Sequence, residues 1–188
     1  MSSLSRRQAA IALLLFVPVF SIGVTMSLLI APGIVGNSVF TVAKVWAVVF
    51  PLWWTWNHNR HSLGLPRFDR QKTLIGLAWG LLMFGVIICA YLLLGKQWIE
   101  LTDIRNKATV VGITSLSIYL AGCFYWCFIN SFIEECIWRG FVYPQCEKLS
   151  SGIAAVALSA VFFTLHHIIA LYAYTQNWLV VFIGSLGV

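Results

Sequence analysis

The sequence predicts an all-α fold, a polytopic transmembrane helical bundle forming one membrane-embedded domain over residues 1–188. Three observations predict it. Hydrophobic residues make up 60% of the chain and charged residues 10%, against about 45–50% and about 25% in soluble domains. Mean hydropathy is +0.88. The apolar residues lie in continuous runs of roughly the 20 residues that cross a bilayer core, without the alternation of a β-barrel strand.

Read between charges, the chain gives five full spans plus the start of a sixth. Ala9–Ile30 follows Arg6 and Arg7 and stops at Pro32 and Gly33. Ser38–Trp56 is interrupted only by Lys44, near one end, and Thr73–Gly95 is uniformly apolar. The fourth span runs from about Thr109 into Glu134 and Glu135, and Gly152–Tyr174 is the fifth. Trp178 begins a sixth that stops at Val188. A half-span leaves backbone groups unsatisfied in lipid, so the chain is expected to be a C-terminally incomplete piece. The first span is too long for a signal-peptide core, and no clean cleavage site follows it.

Basic residues set the expected orientation. Arg6, Arg7, Arg60, Arg67, Arg70 and Lys72, with the loop Arg139–Lys148, fall on one side; Lys96, Arg105 and Lys107 fall on the other. That places the N-terminus and the glutamate pair toward the cytoplasm, in a protein expected in the plasma membrane. The net charge of +6 follows from this topology and from anionic headgroups, so nucleic acid need not be invoked as a partner. Cys89, Cys123, Cys127, Cys136 and Cys146 read as small apolar residues, Cys146 in the cytoplasmic loop. Trp53, Trp54 and Trp56 read as interfacial anchors.

The chemistry concentrates in two places. Ala108 to Ile133 holds no charged residue, and then Glu134, Glu135 and Arg139 arrive together. A carboxylate at the centre of a membrane helix costs about 2.5–3.5 kcal/mol even on lenient insertion scales, so the pair points to a site. Four-residue spacing puts Glu135 and Arg139 on one helix face, where they pair. Glu134 points elsewhere, has no partner in its own helix and stands beside a like charge, a setting that suits a general base. The second place is Phe162-Phe163-Thr164-Leu165-His166-His167, because histidines inside a membrane are functional candidates.

Glu-Glu-x-x-x-Arg at Glu134, Glu135 and Arg139, continued by Gly140, and then Phe-x-x-x-His on the next helix resemble the CPBP family of intramembrane proteases. That family includes the type II CAAX prenyl endopeptidases, or Ras-converting enzymes, and bacterial proteins linked to bacteriocin processing and self-immunity. The resemblance covers about residues 132–167, and its second motif fits as Phe162 with His166 or Phe163 with His167. It implies hydrolysis of a peptide bond near the C-terminus of a membrane-associated peptide or lipid-modified protein, by a glutamate-activated water. Glu134 would be the base, the histidine would position the water, and Glu135 with Arg139 would support the site or bind the substrate's carboxylate. No cofactor is expected. One carboxylate and one histidine make too few ligands for zinc, so no metal is expected either.

The family's later helix, with a further histidine and an asparagine on the oxyanion side, does not occur before Val188; Asn130 is the one nearby amide that could donate instead. A non-catalytic immunity or scaffold protein of the same fold, or a small transporter, are the alternative functions. Of the two histidines, His167 is the expected site residue: Ile168 follows it, and it shares a face with Phe163 and Ala160 that should turn toward Glu134. A ring nitrogen of His167 is then expected within one water of the Glu134 carboxylate. His166 lies on the small-residue stripe of Gly152, Ala155 and Ser159, a packing seam.

Overall fold

The computed structural model describes residues 3–58, 69–95, 100–110 and 112–185. All regular structure among them is helical, in an all-α polytopic bundle. Helix α1 (Ser3–Thr25) continues through a wide π-helical turn, Met26–Ile30, and α2 is Ile34–His58. Helix α3 (Arg70–Ala90) continues through Tyr91–Gly95, and the short α4 is Leu101–Val110. Helix α5 spans Leu116–Leu149, α6 Ile153–Thr175 and α7 Trp178–Ser185. Five helices are long and apolar enough to cross a membrane.

Two boundaries differ from the sequence expectation. Thr109 belongs to α4, not to the fourth span, which starts at Leu116 behind the N-cap Ser115; its hydroxyl oxygen accepts from the Ile118 N–H. The supposed loop from Arg139 to Lys148 is helix, so Cys146 is a fully buried core residue rather than a loop residue. The charges there were misleading punctuation: Lys and Glu are good helix formers, and Pro144 stands at the start of the last helical piece, where a missing N–H costs least. Arg60, Arg67 and Lys96 lie outside the described residues.

Helix α1 is the central post. Its Ala12, Leu13, Phe16, Val17 and Phe20 pack with Ala47, Phe50 and Trp54 of α2 and with Ile137, Trp138, Phe141, Val142 and Cys146 of α5. Close approach of α1 and α2 depends on small residues: a Cβ on Gly23 would stand 2.9 Å from that of Ala43. Helix α3 buries no residue at all, so its apolar surface is left for lipid. Helix α5 changes character along its length. Leu116–Leu120 and Phe124–Ile129 are exposed, Asn130 is the first buried residue, and the rest enters the bundle. A tight connection through Ser150 to Gly152 then returns the chain antiparallel as α6, with Gly152 at φ 58°. Near this connection α6 packs against the end of α5.

Candidate active site

Glu134 and Glu135 sit in a short α-helical piece of α5, Ser131–Ile137, between two π-helical turns, Tyr125–Asn130 and Trp138–Val142. Such wide turns are rare and frequently mark functional sites, although the chain also has them at Met26–Ile30 and Tyr91–Gly95. The carbonyl chemistry of the first turn is partly met by Ser131, whose hydroxyl donates to the Trp126 carbonyl at 2.8 Å. A cavity of about 880 Å³ opens here between α5 and α6. On the α5 side it is lined by Ser131, Glu134, Glu135, Trp138, Arg139 and Tyr143; on the α6 side by Val156, Ser159, Ala160 and Phe163.

Three of the four site residues expected from sequence therefore share one cavity. Arg139 Nε donates to Glu135 Oε1 at 2.7 Å, four residues apart on the helix. The pair is open, with side chains 81% and 48% exposed, so it contributes only about 0.2–1 kcal/mol to stability. Glu134 is more enclosed, at 18% side-chain exposure.

The histidines stand one turn beyond Phe163, with their rings 4.1 Å apart. His166 is buried, stacked at 5.2 Å on Phe20 of α1 and at 6.0 Å on Trp138 of α5. His167 is half-buried, and its Nδ1 is hydrogen-bonded to the Phe163 carbonyl at 3.0 Å, which leaves Nε2 for another partner. Ala160 and Phe163 line the cavity; His167 is not among its lining residues. Phe163 contacts Trp138 at 5.1 Å, His166 at 5.7 Å and His167 at 4.7 Å, so an aromatic wall connects the glutamate cavity to the histidine pair. Trp138 Nε1 and His166 Nδ1 are buried without a hydrogen-bond partner among the described residues, a polar demand beside the site.

Lys44 is the residue that sequence reasoning missed. Its ammonium donates to Asn130 Oδ1, lies 4.7 Å from the Trp126 ring centroid and stands 4.0 Å from Glu134 Oε1. Asn130 thus acts as an acceptor toward Lys44. The signal was present in the sequence: a lone lysine inside an apolar span carries the same insertion cost as the glutamates. What could not be read was which helix it faces. Among the described residues, no group of three or more His, Cys, Asp or Glu side chains is placed to hold a metal ion.

The fold and this site define a class: a helical membrane protein with paired carboxylates at a cavity between adjacent helices and a histidine pair behind its aromatic wall. Residues 115–188 match the family model of the type II CAAX prenyl endopeptidase Rce1-like proteins, so the part of the chain that carries the site is similar to that family. The match begins at the N-cap of α5 and takes in α6 and α7. It supports the CAAX-protease resemblance and extends it beyond the two motifs. No curated protein and no solved structure matches the chain.

Proposed function

We propose that the protein is an intramembrane endopeptidase of the CAAX type, cutting a peptide bond near the C-terminus of a membrane-associated substrate, lipid-modified proteins included. The observation that carries the reading is the shared cavity: both glutamates and Arg139 open onto one space at the end of the apolar half of α5. Glu134 takes a proton from water, and the hydroxide adds to the scissile carbonyl carbon. The C–N bond then breaks, and Glu134 returns the proton to the leaving amine. His167 would orient the water through Nε2. Arg139, steadied by Glu135, would receive the substrate's terminal carboxylate, for which a planar guanidinium is suited. The N-terminus is proposed to face the cytoplasm, and the plasma membrane is the proposed location.

The test uses purified protein in liposomes and an internally quenched farnesylated peptide ending in Cys-aliphatic-aliphatic-Met. Wild-type protein should cleave it and Glu134→Gln should not, with the variant's melting still cooperative. Cleavage by Glu134→Gln at the wild-type rate would sink the reading.

A further inference from the structure

We infer that Lys44 is the positioning residue of Glu134, an intramembrane ammonium that holds the base in place from the neighbouring helix without capturing it. This rests on the reading of Glu134 as the base.

The geometry separates two ways of giving a carboxylate a cation. Glu135 is captured, since Arg139 Nε sits at 2.7 Å, a charge-assisted hydrogen bond that occupies its Oε1. Glu134 is not. Lys44 Nζ stands at 4.0 Å, beyond hydrogen-bonding distance, and its hydrogen bond goes to Asn130 Oδ1 instead. An ammonium at this stand-off attracts the carboxylate through space, and among the described residues no hydrogen bond occupies either carboxylate oxygen.

The stand-off is built, not incidental. Trp126, Asn130 and Glu134 recur at four-residue spacing on α5, and the ammonium is held by the first two, 4.7 Å from the Trp126 ring centroid and bonded to Asn130. Phe40 of α2 flanks it at 5.5 Å. Aromatic faces attract a desolvated cation, so Lys44 is held in place without help from Glu134. Glu134 lines the cavity and Lys44 does not, so Lys44 approaches from behind and acts through the carboxylate. An ionisable side chain kept ten residues after Ile34, the first residue of a membrane-length helix, needs such a task.

Two measurements on the full chain in liposomes test this. On the quenched farnesylated peptide, Lys44→Met should lower kcat on the order of 10²-fold, the cost of a misplaced catalytic group. KM should stay within about 2-fold, because substrate binding is untouched. Lys44→Arg should recover most of the rate. A wild-type kcat in Lys44→Met, or a loss carried by KM, overturns the inference. The second measurement needs no turnover: the melting midpoints of Lys44→Met, Glu134→Gln and the double variant. Each single change should lower the midpoint, and the double variant should regain most of the loss, because no lone charge then remains. Additive losses overturn the inference. A Glu134→Gln variant that still cleaves, or a wild type that does not, counts against the proposed function, while the melting cycle still decides whether Lys44 and Glu134 are coupled.

Discussion

Truncating Phe16 to alanine should be among the costliest single changes in the bundle, and the size of the cost follows from where its ring sits. Phe16 is fully buried, with Phe20 at 5.4 Å, Phe50 at 6.0 Å, Trp138 at 6.3 Å and Phe141 at 5.3 Å, so it joins α1 to both α2 and α5. In a soluble core such a truncation costs about 3–5 kcal/mol, of which part is transfer from water and part is the cavity. In a bilayer the separated helices leave the ring in lipid, so the transfer part largely drops out and packing remains. Removing the ring empties roughly 100 Å³; at about 24 cal/mol per Å³ the cavity costs about 2 kcal/mol. Phe84, 63% exposed on α3, is the control, and Phe84→Ala should cost nearly nothing. The assay is unfolding in mixed micelles with increasing dodecyl sulfate, read by tryptophan fluorescence. Equal losses for the two variants would refute the placement of the core on α1. A Phe16→Ala loss well beyond the cavity figure would refute the lipid reference state.

Other outcomes follow from the same geometry. Glu135→Gln removes an open ion pair, so its melting midpoint should barely move while KM for a peptide with a free terminal carboxylate rises; a large fall in midpoint would show that the pair is structural. His167→Ala should abolish cleavage with little change in melting, whereas His166→Ala should lower melting by removing the stacks on Phe20 and Trp138; the reverse pattern would exchange their roles. Gly36→Ala should sharply reduce folded yield, because a Cβ there overlaps the Ala31 and Met26 carbonyl oxygens, while Gly85→Ala, with open space around it, should express normally.

Much of this was legible in the sequence because lipid imposes a strict rule on length and polarity. The spans follow from continuous apolar runs, and the Glu135–Arg139 pair follows from helical spacing alone. What was not legible is which way a uniformly apolar helix faces. α1 and α3 read alike in sequence, yet α1 is the centre of the bundle and α3 buries nothing. Without water to sort the faces, contrast around the helix carries little information. The same gap hid Lys44, whose relation to Glu134 exists only once α2 and α5 dock. Charge misled in the other direction at residues 139–148, where polar residues continue a helix past the glutamates instead of ending it.

The wide turn at Tyr125–Asn130 also sets how the two halves of α5 relate. An α-helix advances about 100° per residue, and a π-turn accommodates roughly one residue more than the α-turn it replaces. Ser131–Ile137 therefore keeps the angular phase relative to Leu116–Phe124 that an uninterrupted α-helix one residue shorter would give it. The turn works as slack in the residue count. Deleting one residue within the turn should therefore restore an α-turn and leave the glutamates aimed at their cavity, whereas deleting one residue from the α-helical stretch Leu116–Phe124 should turn one half against the other by about 100°.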